Sequence, residues 1–98
     1  MLDSKHLEML KSSAVLINAA RGGIIDEKAL SEILHEGKIC GAALDVFENE
    51  PLTKKDGDLF KGLTNIIATP HIAGVTSESN ERVSKMIANC IDQHLSTI

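Results

Sequence analysis

Three residues of this sequence have side chains suited to holding a small carboxylic acid and moving a proton beside it. Arg21 lies in an Arg-Gly-Gly run, and a guanidinium can pair with a carboxylate through two parallel hydrogen bonds. His71 follows a Thr-Pro pair, and Glu50 lies in a polar stretch before a proline. A carboxylate beside an imidazole favours the protonated ring, so a Glu50–His71 pair would make a proton donor usable near neutral pH.

Each candidate also has an ordinary structural interpretation. Arg21 could be a surface arginine in a glycine turn, and Asp45, which follows an apolar run, could simply cap a turn after its strand. Glu50 could be a solvated loop carboxylate, and a single histidine more often satisfies a hydrogen bond than catalyses. His71 is favoured because it follows a predicted strand directly. The remaining histidines lie in predicted helices and are assigned no site role: His6, His35 and His94.

Three short apolar runs predict the strands that would position these residues. They span residues 14–17, 39–44 and 65–69, and continuous apolar runs are typical of parallel strands covered on both faces. Arg21, Asp45 and His71 follow the three runs in turn. Ligands of open parallel sheets bind at the carboxyl ends of the strands, and sequential strands are usually neighbours. We therefore expect these polar side chains to converge on one small molecule.

Helices are predicted between and after the strands. The first spans residues 2–11 with Asp3 or Ser4 at its start, and the second begins at an Asp26 cap and ends near Gly37. Residues 48–62 predict a surface loop with one helical turn. A last helix, capped by Thr76 or Ser77, carries one apolar stripe at spacings of three and four: Val83, Met86, Ile87, Cys90, Ile91 and Leu95.

Strands that alternate with helices predict an α/β fold with a parallel sheet. The predicted arrangement is a partial, Rossmann-like, three-layer structure with about three parallel strands and flanking helices. A doubly wound domain usually has about five or six strands, so we expect this chain to be part of something larger.

Composition and charge exclude several classes of protein. The 98 residues are 43% hydrophobic and 24% charged, which is typical of one small globular domain rather than a disordered chain. The net charge of -4 argues against nucleic-acid binding. No apolar run reaches the roughly 20 residues that span a bilayer, and no signal peptide is recognisable. Cys40 and Cys90 lack a metal or redox spacing and predict buried free thiols in a reducing compartment, hence the cytoplasm.

Other catalytic chemistries fail because their motifs are missing. The histidines have no ligand spacing with cysteine or carboxylate, so no metal site is predicted. There is no G-x-S-x-G nucleophile motif. The Arg-Gly-Gly run fits neither G-x-G-x-x-G nor the P-loop, so no phosphate-binding loop is predicted either.

Three motifs, in this order and separation, resemble the D-isomer-specific 2-hydroxyacid dehydrogenases, the family of D-3-phosphoglycerate dehydrogenase and hydroxypyruvate reductase. They are residues 16–26 (LINAARGGIID) with Ala29-Leu30, residues 41–51 (GAALDVFENEP) and residues 69–74 (TPHIAG). The resemblance covers essentially the whole chain but only the C-terminal part of a family member. Formate dehydrogenases of the same superfamily carry glutamine where Glu50 stands, so a hydroxyacid substrate is implied.

The resemblance implies a role for each matched residue. Arg21 would bind the substrate carboxylate and polarise the adjacent carbonyl, His71 would be the acid/base, and Glu50 would hold its proton. The implied reaction is hydride transfer between a nicotinamide cofactor, NAD or NADP, and C2 of a 2-oxo acid. The residues implied to line the cofactor are Ala19, Ala20, Arg21, Asp45, His71 and Gly74.

The resemblance also implies a domain organisation. Residues 1–75 would be the C-terminal half of an NAD(P)-binding domain, and residues 76–98 a helix crossing towards a substrate domain, mostly absent from this sequence. The family's G-x-G-x-x-G loop and its NAD-selecting acidic residue have no counterpart here. We therefore expect the chain alone to be inactive and the full-length parent to be a homodimer.

Two alternatives stay open. The C-terminal-binding-protein corepressors resemble these dehydrogenases, keep matching Arg, Glu and His residues, and act by recruiting partners, so the trio cannot exclude them. An independent flavodoxin-like domain would need around five strands where three are predicted.

Overall fold

The fold is that of a computed structural model, which describes residues 1–97. Ile98, the last residue of the predicted segment 76–98, lies outside the described residues. Three strands form one parallel sheet in the order β1-β2-β3. They are β1 (Val15–Asn18), β2 (Gly41–Leu44) and β3 (Ile66–Ala68). The predicted α/β class with three parallel strands is confirmed, and so is the adjacency of sequential strands.

Helices precede, connect and follow the strands: α1 (Ser4–Glu8), α2 (Glu27–His35), α3 (Lys54–Gly57), a 3-10 helix (Asp58–Phe60) and α4 (Ser77–Ser96). The predicted caps are confirmed, since Asp3, Asp26 and Thr76 each accept a hydrogen bond from a backbone N–H of the following first turn. The loop of residues 48–62, predicted to hold one helical turn, holds two short helical elements, α3 and the 3-10 helix.

Helix α1 and strands β2 and β3 are shorter than the sequence predicts. Helix α1 does not reach back to Leu2, because Leu2 donates to Ile24 O at 2.8 Å and accepts from Asp26 N at 2.9 Å. Strand β2 begins at Gly41 rather than Ile39, because Ile39 is buried in the hydrophobic core and Cys40 donates to Ala14 O ahead of the ladder. The apolar run of residues 39–44 therefore contains Ile39, which packs in the core ahead of the strand, as well as the strand residues themselves.

One face of the sheet carries the hydrophobic core. Helices α1 and α2 pack together, and α2 inserts Leu30, which is fully buried. The buried residues of this cluster include Leu7, Ile33, Leu34, Ala42, Leu44 and Phe47. The core therefore lies between α1, α2 and the side chains that β2 turns towards them.

The other face of the sheet is bare, which corrects the prediction that the strands are covered on both faces. Ile17 is 69% exposed and Ile67 is 67% exposed, although each lies in a strand. Ala43 lies between them in the ladder. The continuous apolar runs are real, but in residues 1–97 only one of the two faces has a partner.

Helix α4 has no buried residue along its 20 residues. Its predicted apolar stripe is present and lies exposed. Cys90 on this helix is exposed, and so is Cys40 before β2, which corrects the prediction of buried thiols. Both cysteines are free, as predicted. Among the helices of residues 1–97, none is both long and apolar enough to cross a membrane.

Candidate active site

The three strands end level with one another at the edge where the candidate residues lie. Asn18 at the end of β1 pairs with Leu44 in β2, and Leu44 pairs with Ala68 in β3. Asp45 extends this alignment, because its N–H donates to Asn18 O at 3.0 Å. The segments that carry Arg21, Asp45 and His71 therefore leave the sheet side by side.

The loop after β1 is shaped by the nearly buried side chain of Asn18. Its Oδ1 accepts a hydrogen bond from Ala20 N at 3.1 Å, and its Nδ2 donates to Arg21 O at 3.1 Å. The Arg21 guanidinium is exposed and donates to Ala20 O at 2.7 Å. None of the ion pairs in residues 1–97 includes Arg21. The structure places Arg21 at the strand-end edge without joining it to Glu50 or His71.

Asp45 fixes the turn that follows β3. Its Oδ1 accepts from Thr69 Oγ1 at 2.6 Å and from Ile72 N at 2.9 Å, and its Oδ2 accepts from Ala73 N at 2.9 Å. The Thr69 hydroxyl and then the two backbone N–H groups hold the pKa of this carboxyl below its usual range. Asp45 thus binds the turn after β3 rather than a turn after its own strand, and the turn that it binds carries His71.

Glu50 and His71 form a hydrogen-bonded pair. Glu50 Oε2 lies 2.7 Å from His71 Nδ1, and Glu50 Oε1 accepts from Phe47 N at 3.0 Å. The hydrogen bond to His71, followed by the one from Phe47, holds the pKa of the Glu50 carboxyl below its usual range. Both side chains remain partly exposed, so the ring is accessible from outside the chain.

The backbone of His71 adopts an uncommon conformation. Its φ of 55° lies in the left-handed region, and within residues 1–97 every other positive φ belongs to a glycine. Its N–H donates to Thr69 O at 3.1 Å, and the Asp45 carboxylate binds the next two residues. Such strain persists only where the surroundings overdetermine it, and it concentrates at functional sites.

A cavity of about 190 Å³ opens at the carboxyl ends of the strands. Its apolar lining includes one residue from each strand on the bare face, Ile17, Ala43 and Ile67. Polar groups at the same cavity come from Asn18, Asp45 and Thr69. An apolar floor with a few polar groups is the usual composition of a cofactor site.

We compared this cavity with the nicotinamide end of a dinucleotide. The apolar floor of the cavity suits one face of a flat ring. Asp45 Oδ2 accepts a hydrogen bond from Ala73 N and can accept another from an amide. Of the residues implied to line the cofactor, Ala19 and Asp45 line the cavity, whereas the other four do not: Ala20, Arg21, His71 and Gly74. The residues present fit a nicotinamide group.

Two contributors to this site were not singled out in the sequence. Asn18 orders the Arg21 loop and Thr69 binds Asp45. Asn18 directly follows the first apolar run and Thr69 ends the third, so both are polar residues at the end of a predicted strand, a signal that could have identified them. The three remaining histidines lie away from this edge, in α1, α2 and α4. In the described part of the chain, no three His, Cys, Asp or Glu side chains are grouped to hold a metal ion.

Comparison with known proteins identifies the family. A sequence profile described as "D-isomer specific 2-hydroxyacid dehydrogenase, NAD binding domain" matches residues 1–73. The (S)-sulfolactate dehydrogenase of Chromohalobacter salexigens is 52% identical over 84 residues, which cover 86% of this chain and 26% of that protein. A putative 2-hydroxyacid dehydrogenase of Staphylococcus aureus is 45% identical over 89 residues, or 91% of this chain and 27% of that protein.

A solved structure supports the same assignment. The NADPH-dependent glyoxylate/hydroxypyruvate reductase of Sinorhizobium meliloti, in complex with NADP and malonate, superposes with a TM-score of 0.79 at 33% identity. The superposition covers 98% of this chain and 29% of that one. This chain therefore spans about a quarter of the length of the curated relatives that it matches. The family resemblance drawn from the three motifs is confirmed: the chain belongs to the D-isomer specific 2-hydroxyacid dehydrogenases, within whose NAD-binding domain residues 1–73 fall.

Proposed function

We propose that this chain forms one side of the active site of an NAD(P)-dependent oxidoreductase that interconverts a D-2-hydroxy acid and its 2-oxo acid. The observation that supports it most directly is the Glu50–His71 hydrogen bond, at the same strand-end edge as the cavity. A titratable pair next to a cavity that suits nicotinamide is what a carbonyl reduction requires.

His71 is the proton donor in the reducing direction. Its Nδ1 is held by Glu50, so the other ring nitrogen, Nε2, carries the proton that passes to the substrate carbonyl oxygen. In the oxidising direction the neutral ring takes the hydroxyl proton at the same atom. Glu50 fixes the tautomer and stabilises the charged ring.

Arg21 binds the substrate carboxylate. Its guanidinium is exposed and now donates to Ala20 O in its own loop, a contact that a charged carboxylate would replace with two stronger hydrogen bonds. Binding at this point orients the adjacent carbonyl for proton transfer and places positive charge near its oxygen.

The cofactor would be held at the nicotinamide end by Ala19 and Asp45, with Ala20 and Gly74 beside them. A bound nicotinamide supplies or accepts the hydride. Asp45 would accept the carboxamide N–H, and the small side chains would leave the ring access to the cavity floor. NAD and NADP are both compatible with these residues.

The proposed domain organisation follows from the same assignment. Residues 1–75 act as the C-terminal half of the NAD(P)-binding domain, and residues 76–98 lead towards a substrate domain. We propose a homodimer for the full-length protein and, because both cysteines are free thiols, a cytoplasmic location. The chain on its own, without a pyrophosphate-binding loop, is inactive.

Turnover of 2-oxo acids by the full-length protein tests this function. Oxidation of NADH and of NADPH is followed with phosphohydroxypyruvate, hydroxypyruvate, glyoxylate, pyruvate and sulfopyruvate, each of which presents the carboxylate that Arg21 would bind. We expect a phosphoglycerate dehydrogenase- or hydroxypyruvate reductase-like preference. The names of the relatives make glyoxylate and sulfopyruvate the informative competitors. Cofactor binding without turnover of any of these acids would instead favour a non-catalytic, corepressor-like role.

A further inference from the structure

The loop that carries Glu50 is held from a distance by Glu27. Glu27 is the first residue of α2, and its Oε1 accepts a hydrogen bond from Glu48 N at 2.6 Å across 21 residues of sequence. The Glu27 residue is only 7% exposed. A buried carboxylate therefore binds the backbone two residues before Glu50.

The same stretch of backbone contacts the loop that carries Arg21. A Cβ added to Gly22 would lie 1.8 Å from Phe47 O, so only glycine permits this approach. The next peptide group donates to Glu27, and Phe47 N donates to Glu50 Oε1. Glu27 thus holds residue 48, and Gly22 lies closely against residue 47, in the loop that presents Glu50 to His71.

Burial raises the pKa of Glu27, the hydrogen bond from Glu48 N opposes that rise, and the charges of Glu48 and Asp56 add to it. A carboxyl with a raised pKa contributes most to stability below its usual value of 4.5, and that contribution is lost as the pH rises through the folded-state pKa. At neutral pH the fold therefore bears a cost for keeping this charge.

We propose that Glu27 is a positioning residue of the active site, whose side chain fixes the Glu48 backbone and thereby holds Glu50 in hydrogen-bonding contact with His71. This inference rests on the proposed function, since it assigns Glu27 a part in the proton transfer. It acts through Glu50 and has no described contact with His71 or the cavity.

The test compares variants of the full-length protein that carries this chain. Glu27→Gln keeps an oxygen that can accept from Glu48 N, whereas Glu27→Met has similar length and no such acceptor. Glu32→Ala, at an exposed glutamate on the same helix, is the matched control. Three quantities are measured: hydrogen exchange of the Glu48 amide, kcat and KM for the 2-oxo acid, and the pH dependence of kcat/KM.

For Glu27→Met we expect faster exchange at Glu48 and a kcat about 10- to 100-fold lower, the scale of a small displacement of a catalytic group. KM for the 2-oxo acid should stay close to that of the unmodified protein. The acidic limb of the pH profile should move to higher pH, because Glu50 loses the ordered Phe47 N–H that stabilises its charge. Glu27→Gln and Glu32→Ala should leave exchange and kcat close to those of the unmodified protein.

Unchanged exchange at Glu48 in Glu27→Met, or equal loss of kcat in the Met and Gln variants, would overturn the proposal. Failure of the proposed function gives a different result. The unmodified protein would then turn over no 2-oxo acid, while exchange at Glu48 would still report whether Glu27 holds the loop.

Discussion

The turn after β3 and helix α4 are close in sequence, but they are held in different ways. The turn is bound by one carboxylate, that of Asp45, through hydrogen bonds that span 24 to 28 residues. Helix α4 has local contacts, such as the Thr76 cap and a Lys85–Glu81 pair one turn apart, and no buried residue. The match to the family profile also ends at residue 73, between the two.

This difference shows where the chain's own contacts determine its structure. In residues 1–73 the loops of the candidate site are fixed by buried side chains and by hydrogen bonds between segments distant in sequence. Helix α4 depends on its cap and its backbone ladder, and helices without tertiary contacts are only marginally stable in water. The candidate site therefore lies in the part of the chain that has a buried core and hydrogen bonds between distant segments.

The largest expected effect tests the functional side of this comparison. His71→Asn removes the proposed proton donor while keeping a residue that tolerates the left-handed backbone conformation. We expect kcat of the full-length protein to fall by about 10²- to 10⁴-fold, the range of general acid–base catalysis, with little change in melting temperature. His94→Asn, on α4, is the control and should leave kcat unchanged. A His71 variant with near-normal kcat would remove this residue from the reaction.

The core beneath the site should be the part most sensitive to loss of side-chain volume. Ile33 on α2 is 5% exposed, so Ile33→Ala leaves a cavity between the helices and the sheet. We expect a loss of about 2–5 kcal/mol in the free energy of unfolding, measured by denaturant titration. A loss below about 1 kcal/mol would mean that this core is much looser than the packing indicates.

Arg21 gives a smaller, substrate-specific effect. Arg21→Lys keeps the positive charge but loses the two-pronged hydrogen bonding of the guanidinium. We expect kcat/KM for the 2-oxo acid to fall by about 10- to 100-fold, the loss of one charge-assisted hydrogen bond. Affinity for NADH should remain unchanged, since the lost contact is to the substrate. Equal weakening of both ligands would show that Arg21 acts on the loop rather than on the carboxylate.

Asp45 allows the turn itself to be tested through pH. Asp45→Asn has one acceptor oxygen for two backbone N–H groups, so one of them loses its partner and the melting temperature should fall at neutral pH. Because the pKa of Asp45 is lowered, its contribution is complete above the usual value of 3.8 and is lost as the pH falls through the folded-state value. The gap between the two proteins should therefore close in acid. Asp92→Asn on α4 should show no such gap.

The smallest expected effect lies on α4. Ile91 is 55% exposed, and Ile91→Ala should change the unfolding free energy of the 98-residue chain by no more than about 0.5 kcal/mol. The substitution is the same as the one at Ile33, but the Ile91 side chain is exposed and the Ile33 side chain is buried. A larger loss in the full-length protein than in the chain would show that another part of that protein covers this stripe.

Much of the fold could be predicted because local chemistry decides it. The caps at Asp3, Asp26 and Thr76 start helices by accepting otherwise unpaired N–H groups, and the three apolar runs become strands. Element bounds were less predictable, because an apolar residue such as Ile39 packs in the core just as well outside a strand. Burial was the least predictable, as the exposed cysteines and the bare sheet face show.

The candidate residues were identifiable by type, and the Glu50–His71 pair was anticipated from the chemistry of the two side chains and from the family resemblance, but not from their spacing. Nothing in the spacing of Glu50 and His71 requires a 2.7 Å contact, because the intervening loop has many conformations of similar local energy. Glu27 gave no signal at all, since a glutamate in the first turn of a helix is usually an exposed partner of the helix dipole.

The sequence by itself determined the order of strands and helices, the caps, the family motifs and the residue types available for proton transfer and carboxylate binding. These features depend on interactions between residues a few positions apart, and the same local sequence makes the same interactions wherever it occurs. The tertiary structure alone decided that Asp45 binds the His71 turn, that Glu27 binds the Glu50 loop, and that one sheet face and α4 lie open. Such contacts join residues 20 or more positions apart, and they form only when the core brings the strand ends level with one another.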